Sequence, residues 1–320
     1  MGCSNTPFAV ILTTFCVCLG VGTVDGSEPR QLTFDGDLKL APVFVDGGAA
    51  VVFSAHRHPN RVGLIRLNLK DGKQQLLYPS LTPHQYDAAF SADGRFHCYV
   101  MSSISPQLVL VFSNLAAASG KQTIHRSRMK KDGTTEIVDQ VVASSWVFRA
   151  QGARSTARTP RFTPDNSRIV FTLSAPGGRQ IVSVDINGKD LKRLTRSAGI
   201  NCWPAISPDG RKIAFSSSRN GALDIYLMNI DGSGVARLTH MPARDIHTAW
   251  SPDGRRIAFT SARDGNDEIY VMQADGSDIR RITHHPERDH YPTWHPDGRH
   301  LIAASERDGR FDLYLFDVPN

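Results

Sequence analysis

The chain has 320 residues, of which 40% are hydrophobic and 21% charged, and its formal net charge at pH 7 is +6. This length is sufficient for a folded core without a disulfide framework. The small basic excess is spread over many segments and forms no stripe, so nucleic acid is not an expected partner, whereas an anionic protein or polymer is compatible with it.

Residues 1–26 are predicted to be a secretory signal peptide. An apolar run of 14 residues from Phe8 to Val21 is too short for a membrane span, and Gly20-Val21-Gly22 offers a small-residue cleavage pattern. No Lys or Arg precedes Phe8, and the first six residues also match an N-myristoylation consensus, which stays open as an alternative. We therefore expect a periplasmic or secreted protein with no membrane span in the mature chain.

A strand signal directly after this segment matches a later part of the chain. Arg30-Gln31-Leu32-Thr33 resembles Ala236-Arg237-Leu238-Thr239, and Thr33 precedes Phe44 by 11 residues, as Thr239 precedes Trp250. The final repeat ends before its own fourth strand. The N-terminal strand is therefore predicted to complete the last blade and to close a ring.

An apolar residue followed by a Pro-Asp-Gly type of turn occurs six times. The last four of these anchor residues are 44 residues apart, the first two are 46 apart, and the interval between the second and third is 72. The long interval exceeds one repeat by 28 residues and predicts an insertion in the second blade, within residues 107–151. The six anchors are Phe44, Phe90, Phe162, Ile206, Trp250 and Trp294.

Each repeat contains signals for four short strands. After Trp250 and its turn, residues 256–260 alternate as in a half-buried strand, and Glu268 begins a third apolar run. Asp275-Gly276 is a hairpin turn, and a short fourth strand ends at Thr283. A period of roughly 40–45 residues with four strands per repeat is typical of β-propellers. We predict an all-β, six-bladed propeller of four-stranded antiparallel blades over residues 29–320, closed by the N-terminal strand.

The repeat resembles that of the TolB-like β-propeller family, also described as WD40-like PD40 repeats. The matching motifs are Trp-Ser-Pro-Asp-Gly, Ser-x-Arg-Asp-Gly, Ile-Tyr-x-Met, Asp-Gly-Ser and Arg-x-Ile-Thr, as they stand around Trp250 to Thr283. The resemblance covers residues 30–320 and implies the propeller fold. TolB itself carries an additional α/β domain before the propeller, for which this sequence shows no counterpart, so the expected likeness is to the propeller alone.

Candidate binding residues lie in the loops on the face opposite the Pro-Asp-Gly turns. Positions four residues before each anchor are expected to point towards the central channel. Two loops are rich in ionisable residues, and Tyr86 lies at the matching place of an earlier repeat. The candidate ligand-binding residues are His240, Arg244, Asp245, His247, His284, His285, Arg288, Asp289, His290 and Tyr86.

These residues permit two interpretations. His247, His290, Asp245 and Asp289 offer imidazole and carboxylate ligands for a transition metal at the channel mouth, with His247 and His290 as the metal candidates. However, the two aspartates recur at one repeat position, which favours a structural role. Arg219, Arg263 and Arg307 recur as well and are expected to join neighbouring blades.

The sequence contains no Gly-x-Ser-x-Gly motif, no phosphate-binding loop and no Cys/His zinc spacing. We therefore expect an exported, non-catalytic, monomeric propeller that binds a protein or an envelope polymer and has no cofactor. The alternative is a carbohydrate- or small-molecule-active enzyme with a His/Asp site, and a bound metal ion, at the channel mouth.

Overall fold

The computed structural model describes residues 28–319 except 59–60, 80–82, 103–107, 115–120, 130–134, 144, 149–155 and 176–177. The predicted signal peptide therefore lies outside the described residues. The strands in chain order are β1 (Arg30–Gln31), β2 (Lys39–Val45), β3 (Ala50–His58), β4 (Arg61–Asn68), β5 (Gln74–Leu76), β6 (Gln85–Phe90), β7 (Phe96–Ser102), β8 (Leu108–Asn114), β9 (Lys121–Met129), β10 (Thr135–Ala143), β11 (Ser145–Phe148), β12 (Thr156–Phe162), β13 (Arg168–Ala175), β14 (Gly178–Asp185), β15 (Lys192–Arg193), β16 (Gly199–Ile206), β17 (Lys212–Ser217), β18 (Asp224–Asn229), β19 (Ala236–Arg237), β20 (Asp245–Trp250), β21 (Arg256–Ser261), β22 (Glu268–Gln273), β23 (Arg280–Arg281), β24 (Asp289–Trp294), β25 (His300–Arg307) and β26 (Arg310–Asp317).

The described part of the chain is an all-β propeller of four-stranded antiparallel blades. Four separate blades are formed by β2–β5, by β6–β8 with β11, by β20–β23, and by β24–β26 with β1. The structure differs from the expected six separate blades, because β12–β19 form one eight-stranded sheet. Gly178 and Arg179 pair in parallel with Gly199 and Ile200. A Cβ on Gly178 would lie 2.4 Å from the carbonyl oxygen of Gly199, so only glycine allows this junction.

The N-terminal strand completes the last sheet, as the repeat pattern predicted. Arg30 and Gln31 of β1 pair antiparallel with Leu315 and Tyr314 of β26. Beyond the strand, the Thr33 hydroxyl donates a hydrogen bond to Asp312 (2.6 Å) and accepts one from the backbone N–H of Leu313 (3.0 Å). Thr33 is fully buried. The first and last described strands are thus joined within one blade.

Between the sheets, hydrophobic side chains form the core. Successive sheets pack face to face, and each interface has its own cluster, such as Val51, Phe53 and Ile302 between the first and last blades. Phe171, Phe215 and Phe259 are fully buried at interfaces further along the chain. Each sheet therefore packs against a neighbouring sheet on both of its faces, and apolar side chains fill the space between them.

A separate two-stranded sheet lies within the segment predicted to hold the insertion. β9 and β10 pair antiparallel along their whole length, from Lys121 opposite Ala143 to Met129 opposite Thr135. The hairpin belongs to none of the blades. The chain returns through β11, which pairs with β8 and completes the second blade.

Candidate functional site

The first strands of the repeats are β2, β6, β12, β16, β20 and β24, and they contact one another in cyclic order. Each has a register irregularity at the same place, and three residues before each anchor the backbone φ is positive. A bulge re-aims side chains that strict alternation would direct elsewhere. The six left-handed residues are Ala41, Asp87, Thr159, Trp203, His247 and Tyr291.

A buried ion pair joins two of these strands. The Asp87 carboxylate is only 3% exposed and accepts hydrogen bonds from Arg158 Nε at 2.5 Å and from the backbone N–H of Thr159 at 3.0 Å. The Arg158 guanidinium carbon lies 5.4 Å from the centroid of the Tyr86 ring. Burial alone would lower the pKa of Arg158, but the attraction of Asp87 outweighs it and the pKa is raised. Arg158 therefore stays charged at the ring centre.

His247 is a buried, neutral imidazole between aromatic rings. Its ring stacks on Tyr291 at a centroid distance of 3.9 Å and meets Trp203 edge-on at 4.5 Å. Neither ring nitrogen has a hydrogen-bond partner among the described residues. Burial, followed by the neighbouring His290 and nearby arginines, holds the pKa of His247 well below its usual value. The Nδ1 atom of the neighbouring His290 likewise has no hydrogen-bond partner among the described residues, so both histidines carry unsatisfied buried nitrogens.

His290 lies beside His247, with ring centroids 6.2 Å apart. Its Nε2 atom is 3.5 Å from an Asp267 carboxylate oxygen, and Arg244 is ion-paired with the same carboxylate. Burial lowers the pKa of His290, and Asp267 opposes this effect only in part. The structure thus brings together His247 and His290, the two residues proposed as metal ligands. Among the described residues, no third His, Cys, Asp or Glu places a ligand atom close enough to form a set of three with them.

A cavity of about 400 Å³ opens beside these residues. The described residues that line it include two arginines and no carboxylate. Burial raises the pKa of the Cys202 thiol in its wall to about 12, so this cysteine is protonated and unreactive. The lining residues are Leu108, Thr156, Arg158, Thr159, Thr172, Ser174, Arg179, Cys202, Trp203 and Tyr291.

Asp245 and Asp289, the proposed carboxylate ligands, are fully buried and are held by recurrent arginines. Arg263 Nη2 lies 3.2 Å from both oxygens of Asp245, and Arg307 Nη1 lies 3.1 Å from Asp289. Each arginine and its partner belong to one sheet. The expectation that these arginines join neighbouring blades is therefore wrong, and the contacts support the structural interpretation of both aspartates.

Four other candidate residues lie towards the surface. His240, His284 and Arg288 are exposed, and Arg288 Nε is 3.4 Å from Glu306. His285 is half-buried and accepts a hydrogen bond from the backbone N–H of Glu287 through Nδ1 (3.1 Å). His284 and His285 line a different groove, of about 590 Å³, beside the chain ends. The two histidine-rich segments therefore approach each other only at His247 and His290, while their other histidines lie apart from that point.

Sequence reasoning missed two features. Trp203 and Tyr291 were not selected, although their common place three residues before an anchor was visible in the repeat. It also found no metal-binding spacing, yet His295, Asp297 and His300 place their ligand atoms within 4.8 Å of one another. The signal there was the departure from the repeat, because Ser251 and Arg256 occupy the corresponding positions one repeat earlier.

Comparisons with known proteins agree with this architecture. A family model described as the TolB beta propeller domain matches residues 128–248 and 240–320. Three solved structures share the fold. A protein assigned as TolB from Agrobacterium tumefaciens is 24% identical, with 77% of this chain and 81% of that chain covered and a TM-score of 0.58. TolB from Acinetobacter baumannii is 21% identical, with 80% of this chain and 60% of that chain covered and a TM-score of 0.56. A gluconolactonase from Xanthomonas campestris is 15% identical, with 90% of this chain and 89% of that chain covered and a TM-score of 0.61. This chain thus spans 60% of the Acinetobacter protein. Within the described residues, no helix has the length and hydropathy needed to cross a membrane.

Proposed function

The chain belongs to the TolB β-propeller domain family, and from that premise we propose that it is an exported, non-catalytic, monomeric propeller that binds a protein or an envelope polymer. The observation that carries the proposal is the cavity at the ring centre, where Arg158, Trp203 and Tyr291 meet. Aromatic rings beside a cation are typical anchors of protein and polymer interfaces.

The proposed architecture has six blades over residues 29–320, an insertion within residues 107–151, and a signal peptide at residues 1–26. The cycle of six first strands, each with a left-handed residue at one position, supports the count of six. In this view the eight-stranded sheet consists of two blades that share the short pairing between Gly178 and Gly199. Export rests on the apolar N-terminal sequence alone, and the proposed location is the periplasm or the exterior.

The charge of the cavity specifies the chemistry of the partner. Arg158 is partly exposed despite its pairing with Asp87, and Arg179 is exposed at the edge. With no carboxylate among the described lining residues, the cavity favours an anion. Arginine presents a planar set of donors that fits a carboxylate. The proposed partner therefore inserts a carboxylate-bearing group, from an acidic peptide or an acidic polysaccharide, between the arginines and the aromatic rings.

The test is affinity capture from a cell-envelope extract, followed by direct binding of the captured partner. Arg179→Glu reverses the charge at the cavity edge, and Arg255→Glu makes the same change on an exposed turn at the other end of a first strand. We expect Arg179→Glu to lose the partner and Arg255→Glu to retain it. Equal binding by both variants would place the interface elsewhere and contradict the proposal.

A second function is favoured by one observation, the pair of unsatisfied nitrogens on buried His247. A neutral imidazole without a partner is suited to metal binding or to general-base catalysis. The described fold is shared with a gluconolactonase, which makes a sugar lactone a reasonable first substrate class to test. The test measures turnover of a lactone and the metal content of the purified chain. If either the turnover or a stoichiometric metal ion is present and is lost in both His247→Ala and His290→Ala, the result favours the enzyme over the binding protein.

A further inference from the structure

The last repeat departs from the others at two positions of one turn. In the two preceding repeats a serine begins this turn, and its hydroxyl donates to the turn aspartate, as Ser251 does to Asp253 at 2.5 Å. The same hydroxyl accepts the N–H of Arg256 at 2.9 Å. In the last repeat His295 replaces that serine, and His300 replaces the residue at the position of Arg256. The turn itself requires neither histidine.

The two histidines and Asp297 converge on one point. His300 Nδ1 lies 2.6 Å from Asp297 Oδ2, and His295 Nδ1 lies 2.9 Å from the same oxygen. Their side chains are 34%, 26% and 35% exposed, in the order His300, His295 and Asp297. The cluster is therefore ordered by its contacts and still accessible to an ion from solvent.

The contacts around the cluster suit the exchange of a proton for a cation. His295 Nδ1 lies within hydrogen-bonding distance of both the backbone N–H of Asp297 (3.2 Å) and the Asp297 carboxylate (2.9 Å). His300 lies between two carboxylates, because its Nδ1 is 2.6 Å from Asp297 Oδ2 and its Nε2 is 3.2 Å from Asp317 Oδ1. Without an ion, ring protons satisfy these short contacts. A divalent cation takes the place of the protons that face Asp297, and Asp317 retains the proton on His300 Nε2.

We infer that His295, Asp297 and His300 bind a divalent transition-metal ion, with Zn²⁺ as the best match. Two imidazoles and one carboxylate are a preferred ligand set for zinc, whereas calcium and magnesium prefer oxygen ligands alone. Asp317 completes the arrangement, because a ligating histidine usually donates its other ring N–H to a carboxylate. Water supplies the remaining coordination.

The location gives this ion a structural role. His295 starts the turn after β24, His300 begins β25, and Asp317 ends β26, which carries the closing strand β1. The His295 ring also meets Phe44 of the first blade edge-on at 4.8 Å. A bound ion therefore links the turn to the blade that closes the ring, at its boundary with the first blade. Since an unfolded chain lacks this geometry, binding stabilises the folded state.

The experiment uses the metal-stripped full chain and Zn²⁺ alone as the probe. Competition with a chromophoric chelator gives stoichiometry and affinity, and thermal unfolding with and without zinc gives the shift in Tm. We expect one zinc ion per chain and a Tm that rises with zinc concentration. His295→Ser and His300→Arg restore residues that the same turn carries in other repeats, so both variants are expected to fold and to lose the zinc-dependent shift.

Two further variants separate the site from alternatives. Asp297→Asn keeps a side-chain oxygen for the backbone N–H of Arg299 while it removes the charged ligand, and Asp317→Asn is expected to weaken binding by roughly tenfold. His240→Ala, which alters an exposed histidine elsewhere, serves as the control. Zinc binding that survives in the His295→Ser/His300→Arg double variant, or that vanishes in His247→Ala, overturns the inference. Absence of any zinc binding by the unaltered chain overturns it as well.

Discussion

The imidazole of His247 stacks on the phenol ring of Tyr291, with centroids 3.9 Å apart and an angle of 27° between the planes. The two residues occupy the same position in successive repeats and share a left-handed backbone, with φ of 56° and 57°. In a regular strand, successive side chains point alternately to the two faces of the sheet. The shared bulge instead lets the first strands of two blades meet ring to ring at the centre.

The burial of His247 predicts a dependence of stability on pH. The folded chain holds this histidine neutral, with a pKa well below 6.5, whereas the unfolded chain binds a proton near pH 6.5. The unfolded state therefore carries more protons below that pH, and stability falls as the pH is lowered from about 6.5 towards 5, with a slope that approaches about 1.4 kcal/mol per pH unit for each such group. Burial lowers the pKa of His97 to about 3, so His97 contributes in the same direction.

Urea unfolding at a series of pH values measures this effect. His247→Phe keeps an aromatic ring for stacking and removes the titration, so its stability is expected to fall less steeply below pH 6.5. The exposed His240→Phe is the control and is expected to keep the slope of the unaltered chain. If His247→Phe leaves the slope unchanged, His247 is protonated equally in both states and the description of its burial is wrong.

The repeat made the scaffold predictable. Residues that recur every 44 positions make the same contact in each sheet, as Thr195 and Thr239 do when each accepts a backbone N–H from Ile181 or Ile225 at 2.9 Å. The closing strand was predictable for the same reason, since Thr33 occupies this repeat position directly after β1. The parallel pairing of Gly178 with Gly199 was not, because it depends on the close approach of two backbones.

The site was predictable only in part. His247 and His290 were selected as ionisable residues of expected loops, but the structure places them in the first strands β20 and β24. Trp203 and Tyr291 were not selected, since an aromatic residue in a strand usually indicates core, and alternation alone does not reveal a bulge that turns it towards a channel. The pairing of Arg158 with Asp87, 71 positions apart, crosses the insertion and no local pattern reports it.

The ion pair between Arg158 and Asp87 is expected to be necessary for a stable ring centre. Arg158→Met leaves a buried carboxylate without its cation, which should lower the free energy of unfolding by about 3 kcal/mol. This value is the lower end of the range for a broken buried ion pair, because the Arg158 guanidinium is partly exposed. Asp87→Asn in the Arg158→Met background removes the unpaired charge and should recover part of the loss. Denaturant unfolding of both single variants and the double variant gives the coupling. Strictly additive losses would mean that the two side chains do not interact.

Two recurrent arginines provide a matched comparison of buried charge and buried amide. Arg263 faces the carboxylate of Asp245, whereas Arg219 faces the amide oxygen of Asn201 at 3.1 Å. Both guanidinium groups lie over a tyrosine ring of their own sheet, at 4.7 Å and 4.6 Å. The packing lost on substitution is therefore alike, and only the polar partner differs.

Arg263→Met is expected to cost about 3–5 kcal/mol, because it leaves an ionised carboxylate buried alone. Arg219→Met is expected to cost only about 1 kcal/mol, since the Asn201 oxygen keeps its hydrogen bond from Ser217 at 2.8 Å. Chemical unfolding at neutral pH measures both. Equal losses would show that the tyrosine contact dominates over the charge.

The closing strand predicts a sharp boundary for truncation. A chain that begins at residue 29 keeps β1 and Thr33, whereas a chain that begins at residue 37 loses both. The shorter chain exposes the edge of β26 and leaves Asp312 without the hydrogen bond from the Thr33 hydroxyl. It also removes Asp35, one of the two ion-pair partners of the fully buried Lys39, and retains only the ion pair with Asp312 at 3.2 Å. Exposed strand edges also promote association. We expect a markedly lower Tm and concentration-dependent aggregation for the shorter chain, measured by calorimetry and light scattering. Identical melting of the two chains would show that ring closure does not depend on β1. In that case Thr33→Val, which removes only the two hydrogen bonds of the hydroxyl, should leave the Tm unchanged as well.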